Sequence, residues 1–315
     1  MKNDYLYTAI HKSVDDFKPQ NDSTYIYGVS AEDRSHFVET LISRKLENVN
    51  YLELRGLEDE KVIEVGSETE IHLRSSISVK KAIGKFHSNN IYIDVTGLDN
   101  RICAAFIKNA MEMHSNSDVK KVIIVYAEPD SYDIKQFKTE SVFNDLSERI
   151  DGISPLPGFA TIFPQDEEKI FLIALLGFEG GRFSHMLESV QPPKENVIPI
   201  IGVPGFRPEY PYVAYWGNNR PLKETETWRK VKFASANSLV EVYMLLSKIL
   251  KKNPNFKIKL APIGTKPHAI AAMLFAIKYP RFVELVYDNP KRQKRRTAGI
   301  GNVVECIVSK LIVEN

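Results

Sequence analysis

Four times along the chain a strand, a turn of small residues, a helix and a second strand follow one another, and the unusual residues always fall at the turns. The first copy runs from Tyr25-Ile-Tyr-Gly-Val-Ser30 to Tyr51-Leu-Glu-Leu54, and the second from Ile91-Tyr-Ile-Asp-Val-Thr-Gly97 to Val122-Ile-Ile-Val-Tyr126. The third runs from Ile170 through Gly177-Phe-Glu-Gly-Gly-Arg182 to Val197-Ile-Pro-Ile-Ile201. The fourth runs from Ile258 through Pro262-Ile-Gly-Thr-Lys-Pro267 to Val283-Glu-Leu-Val-Tyr287. Copies two and four share the most: in each the second strand ends in Val-Tyr, followed within two residues by an acid and then by a proline, Pro129 or Pro290. Strands such as Val122–Tyr126 and Ile170–Leu176 are continuous apolar runs rather than alternating ones, the mark of a parallel sheet covered on both faces. The expected fold is therefore α/β, two Rossmann-like halves with mostly parallel sheets and helical crossovers.

At 315 residues the chain suits two domains of about 150 each. The turn formers Ile153-Ser-Pro-Leu-Pro-Gly158 place the boundary in 151–167, giving halves 1–150 and 168–315. Within the second half, 208–232 is an insertion dense in aromatics and prolines, read either as a cap over a pocket or as packing at an interface. A leading helix is expected over Tyr5 to Phe17, a loose helix over Ile71–Ile83, and a loop then a helix over Asp130–Ile150.

With 43% hydrophobic and 26% charged residues and a net charge of +2, the chain is a folded protein and no polycation, so any phosphate site is a local patch. Cys103 and Cys306 each lie in apolar sequence and read as buried free thiols rather than a disulfide or a metal site. No run approaches the roughly 20 apolar residues that span a bilayer. The expectation is a cytoplasmic protein with no membrane partner and no metal.

Parallel sheets bind ligands beyond the carboxyl ends of their strands, where these turns lie. Gly177–Arg182 has glycines that let a ligand approach the backbone, with Gly180 at the start of a helix, Arg182 suited to a phosphate and Glu179 to a ribose hydroxyl. The spacing matches neither the dinucleotide fingerprint nor a P-loop, and a tight turn with a solvated arginine is the competing reading. In the fourth copy Gly264 permits the turn, Thr265 caps the helix and Pro267 sits in its first turn, whereas capping leaves Lys266 and His268 without a role. A lysine at a helix N-terminus is unfavourable unless something negative is near, which points to phosphate. In the second copy Thr96 and Gly97 occupy the corresponding place, and Asp94 is either a paired buried acid or faces the cleft. Ser30 and Arg34 are weaker ligand candidates in the first copy. The basic run Lys291–Arg296, with Arg292 and Arg295, reads either as solvated surface or as an outer clamp on phosphates. Acid–base candidates are Glu179, His268 and Asp94, and no catalytic triad or metal-ligand spacing is present to decide between binding and catalysis.

The turn Pro262-Ile-Gly-Thr-Lys-Pro267, its small-residue helix and the strand Val283–Tyr287, together with Asp94-Val-Thr-Gly97, resemble the CRISPR-associated Rossmann-fold (CARF) sensor family. The resemblance covers about a third of the chain in short motifs. It implies a sensor in prokaryotic antiviral defence that binds a nucleotide second messenger, a cyclic oligoadenylate, at a homo-oligomer interface. The chain departs from that family in lacking a nuclease or winged-helix segment and in holding two halves. The leading expectation is thus a binding protein for a small nucleotide or short oligonucleotide, with no cofactor beyond that ligand. The alternatives are a nucleotide-cleaving enzyme of the same fold, and an interaction subunit whose 208–232 segment docks on a partner ATPase or effector.

Overall fold

The computed structural model describes residues 6–57, 60–132, 147–150, 152–161, 169–292 and 297–314. Contacts divide the chain into unit 1, Met1–Asp133 with Lys294–Asn315, and unit 2, Ile134–Gln293. The expected halves 1–150 and 168–315 are corrected accordingly: unit 2 is an insertion, and the C-terminal segment returns to the first sheet.

In chain order, unit 1 begins with β1 (Thr8–His11), β2 (Ser23–Tyr27), α1 (Phe37–Ser43), β3 (Val49–Gly56), β4 (Lys61–Glu64), β5 (Thr69–His72), α2 (Ser76–Ile83), β6 (Asn90–Asp94), α3 (Asn100–Ser115), β7 (Lys121–Ala127) and β8 (Ser131–Tyr132). Unit 2 holds β9 (Ser147–Ile150), β10 (Ser154–Pro155), β11 (Ile170–Leu176), α4 (Gly180–Val190), β12 (Val197–Gly202), α5 (Tyr210–Gly217), α6 (Asn219–Glu224), β13 (Lys232–Ala234), α7 (Leu239–Lys252), β14 (Lys257–Pro262), α8 (Lys266–Lys278), β15 (Val283–Tyr287) and β16 (Pro290–Arg292). The return to unit 1 adds β17 (Thr297–Ala298), β18 (Val303–Ile307) and α9 (Val308–Glu314).

The eight-stranded sheet of unit 1 has the order β1-β18-β7-β6-β2-β3-β4-β5, and the six-stranded sheet of unit 2 the order β10-β15-β14-β11-β12-β13. In unit 1, β3, β2, β6 and β7 are parallel neighbours. In unit 2, β12, β11, β14 and β15 are parallel in the same arrangement, with β13 added beyond β12. Each parallel core then takes one antiparallel strand against its last member, β18 on β7 and β10 on β15. The four copies in the sequence are therefore two equivalent four-strand cores, both Rossmann-like.

Burial explains the strand composition. Every residue of β2 and β6 is buried, and so are Phe171–Leu176 of β11, because helices or loops cover both faces. One face of the unit 1 sheet packs Tyr25, Tyr27 and Tyr92 with Phe17 against Phe37, Val38 and Leu41 around α1. In unit 2, α8 is buried along Pro267–Ala276, all round rather than on one stripe. Its alanines at 269, 271, 272 and 276 let neighbouring elements approach. Cys103 and Cys306 are free and buried.

The expected leading helix is instead β1 and a short 3-10 turn at Val14–Asp16. Residues 8–11 pair antiparallel with Val303–Cys306, a long-range pairing that overrides the local apolar spacing. Residues 61–64 and 69–72 form the β4–β5 hairpin, so the expected helix over 71–83 starts at Ser76, where the Ser75 side chain accepts from the Ser78 amide. Of the loop and helix expected over 130–150, residues 133–146 lie outside the described residues, and 147–150 form β9 against β16. No helix among the described residues is long and apolar enough to cross a membrane.

Candidate functional site

The point where strand order reverses lies between β2 and β6 in unit 1 and between β11 and β14 in unit 2, and at each of them two glycines close the gap. A Cβ on Gly97 would stand 1.9 Å from the Gly28 carbonyl oxygen. One on Gly177 would meet the Ile263 oxygen at 3.0 Å and Gly264 Cα at 3.3 Å, and one on Gly264 the Leu176 oxygen at 2.8 Å. Only glycine lets the turns after the first and third core strands touch in this way.

Around the unit 1 turns the polar groups are used up internally. Thr96 is buried. Its hydroxyl accepts from the Ala127 amide at 2.9 Å, and its amide donates to Asp94 Oδ1 at 2.9 Å. Asp94 also accepts from the Tyr25 hydroxyl at 3.2 Å, and burial pushes its carboxyl up to about 6. Arg34, 3% exposed, donates to the Ala127 carbonyl at 2.9 Å, pairs with Glu32 at 3.3 Å and lies 5.2 Å from the Tyr126 ring centre. Ser30 stays in its own turn, bonded to Ser35. Asp94 is thus the partnered buried acid of its two readings, and the expectation that Thr96 and Gly97 face a ligand is corrected: Thr96 joins β6 to β7, and Gly97 the two turns to each other.

Arg182 is the counterpart of Arg34 in unit 2. Its Nε and Nη2 donate to Asp288 Oδ2 and Oδ1, both at 2.6 Å. Nη1 donates to the Ile263 carbonyl at 2.9 Å and stands 3.5 Å from Glu179, and the guanidinium lies 5.9 Å from the centre of the Tyr287 ring. At 2% exposed it ties the first turn to the ends of β14 and β15 and is not presented as a phosphate ligand. Glu179 and Gly180 are buried beside it, while Gly181 is exposed, with open space where a side chain would go.

At the other turn Thr265 caps α8, accepting from the His268 amide at 3.4 Å, and donates to the Ala236 carbonyl at 2.8 Å. Lys266 opens the helix and is partly exposed. His268 is fully buried. Its Nε2 donates to the Ser235 carbonyl at 2.9 Å, and burial lowers its pKa to about 4, so it is neutral and its Nδ1 is a bare acceptor with no hydrogen-bond partner among the described residues. It clamps α8 to the segment after β13 and is not poised as an acid or base at neutral pH.

The aromatic insertion sits on the glycine-rich turn. A Cβ on Gly217, the last residue of α5, would stand 2.1 Å from the Phe178 carbonyl oxygen. The Asn218 side-chain amide donates to the Gly177 carbonyl at 2.8 Å and to Ala214 at 2.7 Å, leaving its buried Oδ1 without a hydrogen-bond partner among the described residues. The Phe178 and Tyr210 rings meet edge to face at 5.4 Å. On its other side α5 lines a pocket of about 630 Å³ at the carboxyl ends of β12 and β13, walled chiefly by Val203, Tyr212, Tyr215, Trp216 and Phe233 with Glu209 as the charged lining residue.

The structure therefore brings Gly180, Gly264, Thr265, Lys266 and His268 to one sheet edge of unit 2 and leaves Thr96, Gly97 and Asp94 in unit 1. Arg292 is described only through the backbone pairing of β16 with β9, and Arg295 lies outside the described residues. Sequence reasoning missed Asp288 and Asn218. The shared Val-Tyr-acid-Pro ending held the signal for Asp288, while no local pattern marks Asn218. No group of three or more possible metal ligands occurs among the described residues.

No family model matches the chain, and no curated protein matches it. Among solved structures it is similar to a GDP-L-fucose synthetase from Naegleria fowleri, at 11% identity and a TM-score of 0.22, over 90% of this chain and 87% of that one. It is similar also to that synthetase bound to NADP, at 10% identity and a TM-score of 0.22, over 90% and 86%. Likenesses this distant transfer no activity and no residue roles, and the Rossmann-like assignment rests on the strand orders above. The second of these structures holds NADP, which is a property of that protein.

Proposed function

We propose that unit 2 binds a phosphorylated nucleotide at the carboxyl edge of its sheet, with the phosphates over the turns at Gly180–Gly181 and Gly264–Lys266. The observation that carries this reading is the approach of Gly177 to Gly264, which opens α4 and α8 side by side at the point where strand order reverses. Two helix N-termini then direct amide groups and positive dipole ends at one place, and Lys266 adds a full charge there. Unit 1, whose corresponding turn is filled by Thr96, Arg34 and Asp94, serves as scaffold.

Holding a ligand is favoured over cleaving it. Glu179 is buried against Arg182, His268 is neutral and bonded to Ser235, and Asp94 belongs to the other unit. That agrees with the sensor role that the CARF resemblance implies. The test is calorimetric titration with ATP, NADP and a cyclic oligoadenylate, followed by mass spectrometry of the ligand after incubation. One of the three is expected to bind and to be recovered intact. Lys266→Ala is expected to weaken binding by roughly 1.5–3 kcal/mol, the size of a charge-assisted hydrogen bond, without unfolding the protein. Unchanged affinity in that variant removes the site, and a converted ligand replaces the sensor with an enzyme.

A further inference from the structure

Charge is unevenly spread along unit 2. The whole chain carries 42 lysines and arginines against 40 acids, yet between Glu241 and Glu284 it holds eight lysines and arginines and not one aspartate or glutamate. Folding gathers most of these cations at one pole. The crossover helices α7 and α8 run back antiparallel to the strands they connect, so both end at the amino edge of the sheet, where β14 and β15 begin side by side. The two connections there are tied together: the Ile258 amide donates to the Phe282 carbonyl at 2.8 Å, and Lys257 Nζ donates to the Arg281 carbonyl at 2.8 Å and lies 4.3 Å from the centre of the Phe282 ring. Lys248, Lys251, Lys252, Lys278 and Arg281 are exposed around this brace. Cations in the last turn of a helix suit its dipole, which accounts for Lys251, Lys252 and Lys278 but gives no role to Lys248 or Arg281. Lys248, Lys251, Lys252 and Arg281 pair with no acid among the described residues. In the three strands β11, β14 and β15 the one acid is Glu284, set opposite Lys259 within the sheet, while Asp166, Glu167 and Glu168 lie outside the described residues.

We propose that this pole is a contact surface for nucleic acid, held by its phosphates without regard to sequence. It lies at the opposite edge of the sheet from the turns at Gly180 and Gly264, so it does not depend on the nucleotide reading. Gathered cations repel one another, and a polyanion relieves that repulsion. Two features select a phosphate backbone over a protein or a lipid surface. No large apolar side chain between Glu241 and Glu284 is exposed, the nearest in sequence being Phe233 and Ile300. A protein interface centres on an apolar, lysine-poor core, and a peripheral membrane site buries apolar side chains as well as charge, so neither is served here. The second feature is the kind of cation. Of the six at the pole, five are lysines, namely 248, 251, 252, 257 and 278. A lysine is a point charge on a long stem, which neutralises phosphate but lacks the fixed fork that reads a base edge.

The test is fluorescence anisotropy of the full-length protein with labelled single-stranded RNA and duplex DNA of mixed sequence, from about 50 to 200 mM salt. Micromolar binding is expected at the low end. With one phosphate neutralised by each of Lys248, Lys251, Lys252 and Arg281, the logarithm of affinity should fall against that of salt with a slope of about −3 to −4. Lys251→Ala with Lys252→Ala should reduce the steepness by about 1.5 and weaken every sequence by the same factor, at an unchanged far-UV circular-dichroism spectrum. Arg281→Ala, on the other connection, should reduce it by about 1. No binding at low salt, or a slope that these variants leave unchanged, overturns the surface. Tighter capture by phosphatidylserine vesicles or by polyglutamate also overturns it, and transfers the pole to a membrane or an acidic protein. Loss of oligonucleotide binding in Lys266→Ala places the nucleic acid at the carboxyl edge and overturns it too. The nucleotide site is read separately, by the titrations with ATP, NADP and a cyclic oligoadenylate, so the failure of one proposal leaves the other standing.

Discussion

Arg182 and Asp288 meet as a two-pronged pair, Nε to Oδ2 and Nη2 to Oδ1 each at 2.6 Å, with neither side chain more than 2% exposed. A buried guanidinium that loses its carboxylate keeps the full desolvation penalty. Asp288→Asn is therefore expected to lower the unfolding free energy by about 3–5 kcal/mol in urea denaturation, and the double variant Arg182→Leu, Asp288→Leu by much less. Losses that simply add would show that the pair does not act as a unit.

The glycine contacts separate structural from functional positions. At Gly97 an added methyl group would overlap the Gly28 carbonyl, a backbone atom that cannot rotate away. Gly97→Ala should cost about 4 kcal/mol or more, at the far end of single substitutions. At Gly181 the space is open and the residue lies in the first turn of a helix, so Gly181→Ala should be neutral or stabilise by up to about 1 kcal/mol. Its effect should fall on nucleotide affinity, because the methyl group covers the amide edge. Thermal denaturation and titration of both variants check this.

Gly217→Ala is predicted to dislodge α5, since its Cβ would lie 2.1 Å from the Phe178 oxygen. The expected signature is a red shift of tryptophan emission together with loss of nucleotide binding, at a fold otherwise intact by far-UV circular dichroism.

Two buried groups give opposite pH slopes. His268 has its pKa lowered to about 4 by burial, against about 6.5 in an unfolded chain. Between those values the unfolded state takes up the proton and the folded state does not, so stability falls as pH drops from about 6.5 to 4, by on the order of 3 kcal/mol. Asp94 is raised to about 6 from about 3.9. Here the folded state holds the proton longer, so stability falls as pH rises from about 4 to 6. His268→Gln, which keeps a donor for the Ser235 carbonyl, should abolish the first slope, and Asp94→Asn the second. Unfolding curves from pH 4 to 8 test each alone.

The core strands were legible because their apolar runs and small-residue turns are local signals. Val122–Tyr126, Ile170–Leu176 and Val283–Tyr287 are strands as expected, and Thr265 caps α8. The peripheral strands were not legible: β1 exists because residues 303–307 come back to pair with it, and no window around Thr8 contains that information. The same limit governs the site. A Gly-x-x-Gly-Gly-Arg turn reads alike whether its arginine faces solvent or turns inward, and Asp288, more than a hundred positions away, decides the matter. Lys266 stands out in the sequence because a cation at a helix N-terminus runs against a local rule, and the structure does place it as the first residue of α8.

Because unit 2 is inserted between β8 and β17, the order of synthesis and the order of assembly differ. β18 lies between β1 and β7, so the sheet begun by strands that precede unit 2 stays open until a strand made after the whole of unit 2 arrives. Unit 2 draws every strand of its sheet from one continuous stretch and waits for nothing. Unit 2 can thus mature on a growing chain before the unit into which it is inserted closes its sheet.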